Sequence, residues 1–328
     1  MNIAIIGAGL IGYKRAANLP KTVKISAVCD IVRERAKQFA QKYSCNFTTD
    51  WQKAISNPQV ETVIISTTNN LLAPIASKAI TKGKHVLIEK PGGKNIKDFQ
   101  QVISAYRKNP VVVQVGYNHR FHPAIMKAKE IIDSKIFGPV LFIRGRYGHG
   151  GRPGYEKEWR FNPKISGGGE LLDQGSHLID LSNYFLGPSS QVIGYTQRMF
   201  WRSPLEDAGF FILRNQKRQI SHFSATACEW KNIFVLEIML KTAKIQINGL
   251  GGSYEPETLT LYKMRPEMGP PEVKEFKFEN DDRSWVQQNE EFIRRIQKRD
   301  YSDNSIKDAL YVLETVGKIY KLNKRGKV

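Results

Sequence analysis

The sequence predicts an α/β fold: a doubly wound parallel sheet at the N-terminus, then an α+β domain with a large, mostly antiparallel sheet. Three observations carry this. Residues 2–6 are an apolar run ending in Gly7-Ala8-Gly9-Leu10-Ile11-Gly12, a G-x-G-x-x-G turn followed by helical periodicity. Strand-like and helix-like stretches then alternate to about residue 120, as parallel βαβ units require. Beyond Gly187 the chain changes to short alternating or β-branched stretches separated by turn residues. The domains are placed at 1–120 and 121–328.

In the first domain, strand 2–6 delivers the glycines to a helix that runs to about residue 19. Gly7 allows the turn, Gly9 lets a pyrophosphate approach the backbone, and Gly12 lets helix pack on strand, the Rossmann arrangement. Anions are favoured there because the first helical N–H groups are unbonded and the dipole is positive. Gly7, Gly9, Leu10, Ile11 and Gly12 are therefore expected against a dinucleotide. Strand 24–29 ends at Asp30, eighteen residues beyond Gly12. A carboxylate at that spacing accepts bonds from ribose hydroxyls and repels a 2′-phosphate, which favours NAD over NADP, with Arg33 nearby to soften the preference. Helices follow at 33–43 and 51–55, the second capped by Asp50. Strand 60–66 leads to Thr67-Thr68-Asn69-Asn70, a polar loop at a strand's carboxyl end, so Thr67 and Asn69 are candidate cofactor contacts. Helix 71–81 stops at Gly83. Strand 85–88 then releases Glu89-Lys90-Pro91-Gly92-Gly93, a charged pair locked by proline, and strand 111–115 closes the domain.

In the second domain a helix at 124–134 precedes a glycine-hinged loop rich in Arg, Tyr and Gly (144–155), from which Arg152 and Tyr155, with Arg120 upstream, are candidate sugar contacts. A solvated surface loop is the other reading. Gly167-Gly168-Gly169 reads as a flexible loop before a helical segment. Asp173 and His177 are four residues apart and share a helix face, with Asp180 and Tyr184 continuing the stripe. A carboxylate beside an imidazole can hold the ring's tautomer while the ring moves a proton, although a solvated i,i+4 contact has the same spacing. Strands are expected at 191–201, 209–213, 219–228, 233–240, 244–247, 258–262 and 273–278, and helices at 284–299 and 305–322, the last able to pack back on the first domain.

Composition is that of a globular protein, with 41% hydrophobic and 25% charged residues. No apolar run reaches a membrane span, and the start lacks a basic, signal-like region, so the cytoplasm is expected. Cys29, Cys45 and Cys228 have no metal-site spacing, and His119 and His122 lack a third ligand, so no metal is expected. The net charge of +19 is spread along the chain, with a cluster only at Lys318, Lys321, Lys324, Arg325 and Lys327. Without a groove-reading motif it does not indicate nucleic acid. It fits either attraction of anionic small molecules or simply solvated lysines.

Gly7–Gly12, Asp30, the run Gly83 to Pro91 and the stretch Gly167 to Asp180, in this order and spacing, resemble the Gfo/Idh/MocA oxidoreductases over nearly the whole chain. The resemblance implies an open C-terminal sheet used for a homodimer or homotetramer. It also implies a cis Lys90–Pro91 bond and catalytic Lys90, Asp173 and His177: His177 the base, Lys90 on the reacting oxygen, Asp173 orienting. Glu89 and Lys90, and the pair Trp159-Arg160, fall on cofactor contacts. The loop 67–72 departs from the family pattern, lacking its Pro and His. The expectation is NAD-dependent oxidation of a secondary hydroxyl, C3 of a nucleotide-linked or otherwise anionic sugar. Two rivals are a dehydrogenase of free sugars or inositols and a non-catalytic dinucleotide-bound regulator.

Overall fold

The computed structural model describes residues 1–278 and 282–325, residues 324 and 325 through their backbone alone. Lys327, counted above in the basic terminus, lies outside the described residues. The elements in order are β1 (Asn2–Ile6), α1 (Leu10–Ala17), β2 (Lys24–Cys29), α2 (Arg33–Tyr43), β3 (Asn46–Thr48), α3 (Trp51–Ser56), β4 (Thr62–Ile65), α4 (Asn69–Thr81), β5 (His85–Ile88), α5 (Ile96–Lys108) and β6 (Val113–Val115). They continue with α6 (Pro123–Asp133), β7 (Val140–Gly148), α7 (Pro163–Ser166), α8 (Ser176–Leu186), β8 (Ser189–Gln197), β9 (Ala208–Asn215), β10 (Ile220–Thr226), β11 (Ile233–Leu240), β12 (Ala243–Asn248), β13 (Thr258–Lys263), β14 (Glu272–Lys277), α9 (Ser284–Gln297) and α10 (Asn304–Arg325).

The chain forms two compact units. The first holds Met1–Tyr117, Lys164–Gly167 and Trp285–Leu310, and the remainder forms the second.

The first unit is a parallel sheet in the order β3-β2-β1-β4-β5-β6. Its strands read as continuous apolar runs because helices cover both faces. Ile3, Ile5, Ile64 and Leu87 are fully buried, and Phe39 of α2 and Phe292 of α9 close the same core. Asp50 caps α3 by accepting from Gln52 N at 2.9 Å, and Asn95 caps α5 by accepting from Asp98 N at 2.9 Å. Helix α5 and the short β3 have no counterpart in the expectations. Gly7, Asp30, Thr67 and Glu89 all stand just past the carboxyl ends of β1, β2, β4 and β5, the side where open parallel sheets bind ligands.

The second unit is built on an eight-stranded sheet, β14-β13-β12-β11-β7-β10-β9-β8, in which β7 and β10 run parallel and every other adjacent pair is antiparallel. The expected loop at 144–155 is corrected here. Its first part is the second half of β7, at the centre of the sheet. One sheet face is core, with Phe211, Leu213, Phe223, Leu236, Ile238 and Ile247 buried. The other face is open: Ile193 pairs with Ile212 and Tyr195 with Phe210, and all four are exposed. In the first unit Ser305 Oγ, at the start of α10, accepts from Val115 N (2.8 Å). In the second unit Tyr311 bonds Ser189, and Asn323 accepts from Thr196 N. Among the described residues no helix is long and apolar enough to cross a membrane.

Candidate active site

The glycine loop of the first unit is shaped by backbone contacts. Gly7 has φ +103° and donates its N–H to Cys29 O at 2.7 Å. A Cβ on Gly7 would lie 2.5 Å from Ser66 O, and one on Gly12 would lie 2.0 Å from Gly7 O, so both positions exclude a side chain. Gly9 differs, since a Cβ there would meet nothing within 4 Å. It is also the N-cap of α1 and offers no capping side chain. The space beside Gly9 is therefore open, and first-turn N–H groups without intrahelical partners are the groups that an anion such as a pyrophosphate would bond. Leu10 is exposed beside them. Ile11 is half-buried. Asp30 is buried, and its two oxygens accept from Ala8 N and Val32 N, each at 2.8 Å. It therefore braces the loop, and each oxygen keeps a second lone pair for a ribose hydroxyl.

Three neighbours have protein partners. Thr67 Oγ1 donates to Thr68 O at 3.4 Å, and Asn69 Nδ2 donates to Ser166 O at 2.9 Å. Glu89 Oε1 accepts from Nε of the fully buried Arg15 at 2.6 Å. Arg15 also donates to Gln288 Oε1 (2.7 Å) and Asn289 Oδ1 (3.2 Å), with its guanidinium 4.5 Å from the Trp285 ring centroid. Gly116 completes the fit, because a Cβ there would sit 2.9 Å from both Arg15 Nη2 and Glu89 Oε2. Nothing in the sequence singles out Arg15 beyond its place on the Gly12 side of α1. The Lys90–Pro91 bond following Glu89 is cis.

In the second unit the segment behind the three glycines is a π-turn, Leu171–Gly175, running into α8. The α-helical face drawn for Asp173 and His177 is thus corrected, since the wider turn inserts slack ahead of His177, as π-bulges at functional positions do. The flexible glycine loop is corrected as well. A Cβ on Gly167 (φ +86°) would lie 2.5 Å from Lys94 Cβ, one on Gly168 2.3 Å from Tyr320 Oη, and one on Gly169 2.0 Å from Glu206 O. These glycines are present because there is no room for anything larger. Glu206 Oε1 accepts from Gly169 N (3.1 Å) and Tyr320 Oη (2.6 Å), and burial holds its carboxyl above the usual range.

Asp173 Oδ2 accepts from Arg160 Nε at 3.1 Å, and Glu158 bridges Arg160 (3.3 Å) and Arg152 (2.5 Å). The Arg160 guanidinium lies 4.9 Å from the Trp159 ring. Arg120 grips the fully buried Asp180 bidentately, Nε to Oδ2 at 2.8 Å and Nη2 to Oδ1 at 2.6 Å. Tyr155 is buried among Phe161, Ala227 and Trp201, leaving its hydroxyl 3.3 Å from His149 Nε2. Burial first, then Glu170 and Asp173, pushes that phenol well up. His149 Nδ1 accepts from Gly151 N at 2.9 Å, so in the neutral ring Nε2 carries the proton, facing Glu170 Oε1 at 3.5 Å. Desolvation lowers the pKa of His149, against the opposing pull of Asp173. His177 is buried, its ring stacked on His119 and edge-on to Tyr147, whose own phenol is hydrogen-bonded to Tyr254 and pushed well up by burial. His119, Tyr147, His149, Glu158 and Glu170 have no place in the expected site, although Tyr147 and His149 lie within the 144–155 segment singled out for its Arg, Tyr and Gly. Among the described residues no three His, Cys, Asp or Glu side chains form a metal-holding group.

Comparison with known proteins adds to this geometry. Residues 1–117 match the model of the oxidoreductase family with an NAD-binding Rossmann fold, and residues 125–255 match the GFO/IDH/MocA C-terminal domain. The chain is 30% identical over 225 residues to the levoglucosan dehydrogenase of Pseudarthrobacter phenanthrenivorans, covering 64% of this chain and 57% of that protein. It is 36% identical over 153 residues to the inositol 2-dehydrogenase of Salmonella typhimurium, covering 45% and 46%. The matched stretch thus spans about half the length of these curated relatives. Among solved structures, levoglucosan dehydrogenase in complex with NADH and levoglucosan superposes with TM-score 0.88 at 22% identity, covering 99% of this chain and 97% of that one. GenD2 from gentamicin A biosynthesis in complex with NAD gives 0.85 at 20% identity, covering 100% and 95%. At these identities the likeness shows a shared fold.

Proposed function

The chain belongs to the Gfo/Idh/MocA oxidoreductase family, its first domain being that family's NAD-binding Rossmann fold, and on that premise we propose that it oxidises a secondary hydroxyl of an uncharged cyclic sugar or cyclitol with NAD. The observation that carries the choice of an uncharged substrate is how the arginines are engaged. Arg120 is clamped to Asp180, Arg152 to Glu158, and Arg160 to Glu158 and Asp173. With Glu170 added, the cluster carries no surplus of positive charge to attract a diphosphate, while its carboxylates, phenols and imidazoles suit a hydroxyl-rich ring. The relatives named for levoglucosan and inositol point the same way.

When bound, the nicotinamide supplies the hydride acceptor. His177 takes the hydroxyl proton, which a buried imidazole can do near neutral pH. Asp173, held by Arg160, orients the substrate hydroxyls. Lys90, in the first unit, keeps the role implied by the family, donating to the reacting oxygen and offsetting its developing negative charge. The open sheet face with Ile193, Tyr195, Phe210 and Ile212 supports assembly with a second copy of the chain.

The test is incubation with NAD and a panel of inositols, levoglucosan, free hexoses and UDP- or dTDP-linked sugars, following absorbance of the reduced cofactor. Turnover of an uncharged ring is expected. Turnover confined to nucleotide-linked sugars would restore the anionic substrate, and tight NAD binding without any turnover would make the protein a regulator.

A further inference from the structure

Two histidines three residues apart, His119 and His122, and a third from far down the chain, His177, form a ladder inside the second unit. The rings of His119 and His177 are stacked with centroids 3.7 Å apart and planes 27° from parallel. His122 meets His119 edge-on at 5.5 Å. Tyr147 closes the side of the stack, 5.0 Å from His119 and 6.0 Å from His177. All four side chains are buried.

The ring of His119 is itself fixed by a chain of hydrogen bonds that runs in one direction. Asn118 Nδ2 donates to Ser284 Oγ at 2.9 Å, and Ser284 Oγ donates to Asp282 Oδ1 at 2.5 Å. Because the Asn118 nitrogen is committed to Ser284, its oxygen is left to accept the Nδ1 proton of His119, 3.3 Å away. A carboxylate at the far end can only accept, so the donors in the chain are assigned and His119 carries a proton on Nδ1. The foot of the ladder is equally firm. Glu257 accepts from His122 Nδ1 (3.0 Å), Ala124 N (2.7 Å) and Gly251 N (3.0 Å).

We propose that His119 is the positioning residue for His177: a fixed aromatic plate that sets the plane of the base's imidazole and gives the imidazolium formed on proton transfer a π-face to lie against. This rests on the reading of His177 as the base. A plate acts on the reaction step more than on substrate binding. His119→Ala should therefore lower kcat by about 30- to 100-fold with KM within about threefold, the scale of a misplaced catalytic group. His119→Phe, which keeps a plate without nitrogens, should stay within about fivefold of wild-type kcat. Ser284→Ala, which breaks the chain but leaves the ring, should fall between the two.

The stack can be read without substrate. The chain has six histidines, so the Cε1–H resonance of His177 can be assigned from His177→Gln. It should lie upfield through the ring current of His119, move downfield in His119→Ala and remain upfield in His119→Phe. An active enzyme whose His119→Ala variant keeps its kcat, or whose Phe variant is as slow as the Ala variant, overturns the positioning role alone. A wild-type protein inert towards every sugar and cyclitol, with the upfield resonance in place, overturns the dehydrogenase reading and the positioning role with it.

Discussion

Gly9 and Gly12 stand three residues apart in one turn, yet a side chain should fail differently at each. At Gly12 an added Cβ would sit 2.0 Å from the Gly7 carbonyl oxygen, so Gly12→Ala must move backbone and should cost about 3 kcal/mol in urea unfolding. At Gly9 the same atom meets nothing within 4 Å. Gly9→Val should keep stability within about 0.5 kcal/mol of wild type. It should still weaken NADH binding at least about tenfold, measured by fluorescence titration, because the pyrophosphate needs that space. His177→Ala is the complementary case. It should reduce turnover by about two to four decades while NAD affinity barely changes, and an equal loss of cofactor affinity would show that His177 serves the nucleotide instead.

Within the elements, the tie of α1 to β5 and α9 through Arg15 makes a sharp prediction. Arg15→Met leaves Glu89 without its buried cation and should cost about 3–5 kcal/mol in chemical denaturation. Adding Glu89→Gln should recover part of that loss, because the unpaired charge is then gone. The same elements show what the sequence could and could not say. Gly7, Gly12 and the Glu89-Lys90-Pro91 exit were legible because turns and strand ends are written locally. Strand β7 was not, since Gly145 takes a half-buried position where a Cβ would press on Val235 O at 2.9 Å, and the outward Arg144 and Arg146 looked like loop residues. The three glycines before Glu170 looked mobile for a related reason: a residue chosen for lack of space and one chosen for freedom have the same letter. The stack of His119 on His177 depends on a contact across fifty-eight positions, and no local pattern records it.

For the whole molecule, the proposed assembly through the open sheet face can be tested by charging that face. Tyr195→Asp together with Ile193→Asp places two charges on the β8 edge of that face while leaving the buried one untouched. The variant should sediment as a monomer if the wild type sediments as a dimer or tetramer, with its thermal transition still cooperative. A further consequence concerns the order in which the protein can be made. Arg15 finds its Gln288 partner 273 positions downstream, and the dinucleotide unit takes in residues 285–310. A ribosome must therefore release nearly the entire chain before that arginine has its full shell. A fragment cut near residue 120 would leave the cation and the end of the sheet bare to water, so the nucleotide half is not a portable module.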